Sequence, residues 1–202
     1  KSIRLISDAE KHNMFVGTVP QNDLSVEDPH IEDMYPYGTV ARVMKTLEMP
    51  DGTITAIMQG LRRFHLDEIL DYEPYMYGRV SYRTDITADN DSREAKVIAD
   101  AIKDRTASLM KMGGFIPKET VNAIRSIDDL EFLTNFIATT VETENYAEKI
   151  ALLSEDDILR RAMALLKQLD NQLELMKIKQ NINAKLKSEI DQQQREYYLN
   201  NH

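Results

Sequence analysis

Residues 38–63 read GTVARVMKTLEMPDGTITAIMQGLRR, and their reading decides the first half of the fold. Pro50-Asp51-Gly52 stands between two apolar runs. Proline presets φ for a turn and glycine accepts positive φ, so the spacing predicts a hairpin of Gly38–Met49 against Thr53–Gly60. Val40, Val43 and Leu47 alternate imperfectly in the first strand; Ile54, Ala56 and Met58 share one face of the second. Outward from the hairpin, Met14–Pro20 (MFVGTVP) reads as a buried strand. Arg62–Leu70 and Tyr75–Thr84 read as two more, split by Asp71-Tyr72-Glu73-Pro74. In the last strand Tyr75, Tyr77, Arg79, Ser81 and Arg83 fall on one face, and Met76, Gly78, Val80 and Tyr82 on the other. Lys1–Asn13, with Ile3, Ile6 and Ala9 at helical spacing, is a short amphipathic helix. Gln21–Tyr37 carries five acidic residues and two prolines, a solvated loop without the spacing of a calcium site. Five strands with short turns predict a small antiparallel barrel-like or sandwich lobe.

The second half has a different grammar. All seven glycines lie at or before Gly114, and every proline but Pro117 lies at or before Pro74. Lys118 to His202, 85 residues, contain neither, which predicts helices. Asp91 or Ser92 can cap a helix over Arg93–Met112 with Ala95, Ile98, Ile102, Leu109 and Met112 as its stripe, ended by Gly113-Gly114. Pro117 suits the first turn of a helix over Lys118–Ile127. Ser126-Ile127-Asp128-Asp129 precedes Leu130–Val141, and Glu142–Leu153 forms the next helix. Ser154-Glu155-Asp156-Asp157 places acids where a helix dipole favours them, opening a helix with no breaker from Asp156 to His202. Its apolar seam is Leu159, Ala162, Leu166, Leu169, Leu173 and Met176. The seam fails at Gln180 and Asn183, where Leu175, Ile178, Ile182, Leu186 and Ile190 take over on a shifted face. The first half of this helix is expected to pack on a bundle and the second to project towards a partner.

The fold class is therefore α+β: an antiparallel barrel-like β lobe over 1–88, a helical bundle over 89–155, and a long connecting helix over 156–202. The chain has 202 residues, 25 Lys+Arg against 34 Asp+Glu, and no cysteine. Disulfides, thiolate zinc sites and cysteine nucleophiles are excluded. A net charge of −9 argues against nucleic acid as a partner. No apolar run reaches the ~18–20 residues of a membrane span, and no signal peptide is present, so a cytoplasmic location is expected. The first residue is Lys1, which suggests a fragment or a processed chain.

Catalytic constellations are missing. There is no phosphate-cradling glycine loop and no nucleophile elbow. Ser108-Leu109-Met110-Lys111 matches S-x-x-K without companion motifs, inside an ordinary helix. His12, His30, His65 and His202 lie in four separate segments, and no pair has metal-helix spacing. The carboxylates are scattered over solvated faces. The most unusual local feature is Tyr72, Tyr75, Tyr77 and Tyr82 with Met76. It reads either as cross-strand aromatic packing or as an adaptable apolar surface for polypeptides.

Several segments in order resemble one family. Lys187–Asn200 (KSEIDQQQREYYLN), above all Gln194–Asn200, is similar to the stretch that leads into the ATPase module of the bacterial Lon ATP-dependent protease. Gly38-Thr39-Val40-Ala41, Leu47 through Thr53, and Gly60-Leu61-Arg62-Arg63 resemble its N-terminal β subdomain. Lys1-Ser2-Ile3, Ile116-Pro117 and Ser126–Asp129 fit as well. The family's additional apolar strand before Lys1 has no counterpart in these residues. Neither do its phosphate-binding loop, arginine finger and Ser–Lys dyad, so no catalytic residue carries over.

The resemblance implies a non-catalytic domain for substrate recognition and assembly in an ATP-dependent serine endopeptidase that degrades unfolded, damaged or tagged proteins. Its implied partners are those proteins and further copies of itself, a hexamer in the parent; membrane and nucleic acid are not expected. No cofactor is expected in this piece, ATP and Mg belonging to the parent's downstream module. The expected contact residues are Tyr75, Met76 and Tyr77 in the sheet and Leu173 and Met176 on the long helix, with no catalytic or metal residue. A stand-alone adaptor binding a degron or small ligand without a motor is the alternative, and a hydrolase built on scattered carboxylates is a second.

Overall fold

A computed structural model of the chain describes residues 1–113, 118–141 and 145–201. In chain order its elements are α1 (Ser2–His12), β1 (Phe15–Thr18), a 3-10 turn (Ile31–Asp33), β2 (Tyr37–Glu48), β3 (Ile54–Asp71), β4 (Tyr77–Tyr82), α2 (Arg93–Gly113), α3 (Lys118–Arg125), α4 (Leu130–Thr140), α5 (Tyr146–Ser154) and α6 (Ile158–Asn200). They belong to two compact units. A sheet unit comprises Lys1–Ile86 and Thr143–Asp157; a helical unit comprises Thr87–Glu142 and Ile158–His202.

The sheet unit holds one antiparallel sheet in the order β1-β2-β3-β4. The hairpin forms as its chemistry dictates. Gly52 takes φ +84°, where a Cβ would be strained, and its N–H donates to Met49 O at 2.9 Å. Asp51 closes the turn by accepting from both the N–H (3.0 Å) and the hydroxyl (2.6 Å) of Thr53. These short bonds hold the Asp51 carboxyl below its ordinary pKa. Four strands stand where five were expected, because Gly60 is no boundary. Ala41 faces Gly60 while Val40 faces Arg62, so Leu61 is an extra residue in a continuous β3. A glycine inside a strand marks a bulge as readily as an end, and the long partner β2 lets the ladder run on.

α1 ends at Asn13 in the left-handed region (φ 52°), with Met14 N–H on Ala9 O at 2.9 Å. It covers the sheet through Leu5, Ile6 and Ala9, packed with Val16, Ala41, Val43 and Met58. Ile3, expected in that stripe, is exposed. The expected bundle over 89–155 loses one element: α5 lies in the sheet unit. Asn145 caps it, accepting from Ala147 N–H at 3.1 Å. The expected start at Glu142 lies outside the described residues, as do the Gly114 terminator and the Ile116-Pro117 turn.

In the helical unit Ser92 is the cap of α2, its Oγ accepting from Ala95 N–H at 3.2 Å. Asp129 caps α4 through Phe132 N–H at 3.2 Å, and Asn90 fastens the same corner by donating to Asp129 and accepting from Leu130 N–H. The α2 stripe runs Ala95, Ile98, Ile102, Thr106 and Met110, with Leu109 and Met112 only half-buried. In α6 the buried residues are Ile158, Arg161, Ala162, Leu165, Leu169 and Leu173. The apolar doublets Ile158-Leu159 and Leu165-Leu166 leave the seam ambiguous by one residue, and packing selects the first of each pair. Leu159 and Leu166 are half-buried instead. Arg161 is 1% exposed and donates from Nη1 to Asn135 Oδ1 at 3.0 Å. At 43 residues α6 is about 65 Å long, and beyond Leu173 it contributes nothing to the core. Of the acids before it, Asp156 turns to two arginines of the sheet unit.

Candidate substrate-binding surface

One side of the sheet unit opens into a cleft of about 750 Å³. Its floor is Phe64 and Leu66 of β3; β1 supplies Phe15 and Gly17, and β4 supplies Val80 and Tyr82. Small residues make this floor possible. A Cβ on Gly17 would stand 3.2 Å from the Phe64 ring, and one on Gly78 would stand 3.0 Å from Leu66 Cδ1. Glycine therefore lets two large side chains lie across the pleat instead of being pushed from it. Leu5 of α1 and Met34 of the acidic loop add to the apolar lining.

The tyrosine segment forms one rim, and its members divide by role. Tyr75 is 5% exposed, and its hydroxyl donates to Asp8 Oδ2 on α1 at 3.0 Å. Hydrogen bonding to Tyr77 and Asp8 holds its phenol well above the ordinary value, so it stays protonated. Tyr77 stacks on it with ring centroids 5.3 Å apart, yet is 46% exposed. Tyr75 is thus a wall, while Met76 and Tyr77 present apolar surface to water. Phe15, Val80 and Tyr82 are exposed beside them; Tyr82 belongs to the cluster the sequence shows, whereas Phe15 and Val80 are not among the expected contacts. Cations lie over two of these rings, Arg62 4.6 Å from Tyr82 and Arg42 5.4 Å from Phe15. At the cleft rim Lys1 Nζ bridges Glu73 (2.5 Å) and Asp28 (3.9 Å), and the Glu73 hydrogen bond raises the lysine's pKa.

Leu173 and Met176 belong to the helical unit. Leu173 is 8% exposed and Met176 half-buried. Leu173 lines a groove between α2 and α6 with Arg105, Lys111 and Lys177, closed in part by an Arg105–Asp170 ion pair at 2.9 Å. The five expected contact residues are therefore split three and two between the units, and further along α6 Leu175, Ile178, Ile182, Leu186 and Ile190 are exposed, as are Tyr197, Tyr198 and Leu199 near its end.

The polar cluster of Ser81, Asp67 and His65 is not ordered as an activated serine. Ser81 Oγ donates to Asp67 Oδ2 at 2.5 Å, and His65 Nδ1 lies 2.6 Å from Asp67 Oδ1. The carboxylate stands between serine and histidine, whereas activation needs the histidine between. Asp67 is held below its ordinary pKa, first by Ser81 and then by His65. Among the described residues no group of three or more His, Asp or Glu is placed to hold a metal. Among them, too, no helix is long and apolar enough to cross a membrane.

Residues 1–171 match the model of the family described as the ATP-dependent protease La (LON) substrate-binding domain. The chain belongs to this family. It is 36% identical to the Lon protease of Cytophaga hutchinsonii over 199 residues, 98% of this chain and 24% of that protein. The Lon protease of Flavobacterium johnsoniae gives the same identity and coverage, and that of Escherichia coli is 28% identical over 200 residues. The chain thus spans about a quarter of the length of the curated relatives it matches. Its fold is that of the Lon N-terminal domain protein from Xanthomonas campestris, with a TM-score of 0.57 at 19% identity over 82% of each chain. The N-terminal domain of Mycobacterium avium complex Lon protease has the same TM-score, covering 78% of this chain and 90% of that one.

Proposed function

We propose that this Lon-family domain holds polypeptide segments for an ATP-dependent serine protease and carries out no chemistry itself. The observation that supports this most directly is the apolar surface of the sheet unit, where Phe15, Met76, Tyr77, Val80 and Tyr82 are exposed around one cleft. Aromatic and thioether side chains fit many sequences, because their contacts are broad and need no exact hydrogen-bond partner. Unfolded or damaged proteins expose apolar segments that folded ones bury, which makes such a surface selective for them. Each contact is weak; several copies in an oligomer supply avidity. Assembly is the second part of the reading: Leu175, Ile178, Ile182, Leu186 and Ile190, each about half-exposed, give α6 an apolar stripe to share with neighbours.

The test is binding of a fluorescent, permanently unfolded polypeptide to the 202-residue chain, followed by anisotropy. Met76→Ser, Tyr77→Ser and Tyr82→Ser are expected to weaken binding several-fold each, while Val97→Ser, at an exposed position on α2, leaves it unchanged. Equal affinity in all variants would remove the cleft from the reading. A chain extended before Lys1 is measured beside it, because Lys1 and Ser2 line the cleft and any residue joined to Lys1 would start at its edge. Loss of binding in the longer chain would assign the cleft to the protein's own backbone and leave α6 as the candidate surface.

A further inference from the structure

The sheet unit is made of two stretches, so the backbone crosses its boundary three times: it leaves after Ile86, returns at position 143 and leaves again after Asp157. Ile86 and Asp157 are paired in a parallel bridge, and Ile86 N–H donates to Asp156 O at 2.8 Å. Both departures therefore start from one point.

Two arginines help to fasten the second stretch there. Arg63 of β3 donates from Nη1 to Leu153 O at 2.7 Å, and from Nη2 to Asp85 at 2.6 Å and Asp156 at 3.1 Å. Arg83 takes the same Asp156 in a fork, with Nε on Oδ1 at 3.1 Å and Nη2 on Oδ2. The Arg63 side chain is 13% exposed and the Asp156 side chain 26%, so water and salt ions still reach the pair and high salt weakens it in part. Apolar anchoring of the stretch is slight: Leu152 is the one fully buried residue of α5. Segments with few buried apolar contacts open at lower cost than the sheet or helix core they rest on. α6 begins at Ile158, directly after the pinned residue.

We propose that the Arg63–Asp156–Arg83 knot is a latch on the joint of the sheet unit. Closed, it pins side by side the two points at which the chain leaves the sheet unit. Open, it releases residues 145–157 while the sheet stays folded, and the joint passes from two pinned strands to the single strand at Ile86–Thr87. Two strands pinned side by side resist twisting; one strand swivels about its φ and ψ. The device would set how freely the sheet unit turns on its tether, whichever ligand that unit holds.

Amide hydrogen exchange tests this on the 202-residue chain. In Asp156→Asn the amides of Ile86 and of 146–157 are expected to exchange about tenfold faster, the loss of a charge-assisted bond. Those of Phe64 and Leu66 in β3 and of Leu165 in α6 should keep their wild-type rates. Raising the salt to 1 M should speed the same amides in the wild type and leave Asp156→Asn unmoved. Unchanged exchange at Ile86 would overturn the latch. So would an equal rise at Phe64, which would make the knot part of the sheet's own stability. Should Asp156→Asn fail to fold, Arg83→Gln keeps the Arg63 bonds and reads the same amides, and the salt series needs no variant.

Discussion

Gly38 lies directly opposite Phe64 in the β2–β3 ladder, and a Cβ at position 38 would stand 2.7 Å from Phe64 Cζ. It would also stand 2.3 Å from Thr18 O, a backbone atom that has no rotamer to yield. The aromatic floor of the cleft and the pairing of β1 to β2 thus depend on one missing methyl group. Gly38→Ala is expected to destabilise the sheet unit by about 3 kcal/mol, the upper end of overpacking costs. Gly52→Ala, strained only through its positive φ with open space around it, should cost about 1 kcal/mol. Urea unfolding of both variants checks the order; a milder effect at Gly38 would mean that β1 moves away freely.

The register of α6 gives a paired prediction. Leu165 is 1% exposed, whereas its neighbour Leu166 is half-buried. Leu165→Ala should cost about 3 kcal/mol and Leu166→Ala about 1 kcal/mol, since the first leaves a cavity and the second opens towards water. Equal losses would return the seam to the register that the sequence alone suggests.

Among the described residues of the helical unit, the hydroxyls of Thr106 and Thr134 are buried without a hydrogen-bond partner. Valine has nearly the shape of threonine and no donor to desolvate. Thr134→Val, at a site 0% exposed, is expected to stabilise the unit by about 1 kcal/mol. Differential scanning calorimetry would show it as a raised Tm, and a fall would reveal a bonded hydroxyl.

Asp156 gives a pH signature. Its carboxyl is held below the ordinary 3.8 by Arg83 first and then Arg63. A folded-state pKa below the unfolded one adds stability that is full above the unfolded value and is lost as pH falls through the folded value. The gap between wild type and Asp156→Asn in the local stability of residues 146–157 should be about tenfold in amide exchange at neutral pH, hold down to about pH 4, and close below that. Exchange at stepped pH, referred to the intrinsic rate at each pH, measures it; a gap that closed near neutrality would point to a different group.

The features legible in the sequence are those whose cause lies within three or four residues. Pro50-Asp51-Gly52 makes its turn from its own side chains, Ser92 and Asp129 cap with their own oxygens, and the glycine-free run from Lys118 builds helices because nothing interrupts it. The tyrosine rim was visible as a cluster for the same reason. Its division into a buried wall at Tyr75 and an exposed ring at Tyr77 was not, since Asp8, 67 residues away, makes that choice.

Tertiary structure decided whatever needed a distant surface. Gly60 could end a strand or bulge, and the length of β2 opposite it settled the matter. Both Leu165 and Leu166 satisfy helical spacing, and only packing distinguishes them. Asp156 has the chemistry of a helix cap, yet arginines 73 and 93 residues earlier bind it with two charges where a helix end offers partial ones. That substitution carries α5 to the sheet unit and brings Ile86 and Asp157 together. Short-range hydrogen bonding is written locally in the chain; the choice between equally good local options is made by the partner that buries or neutralises them.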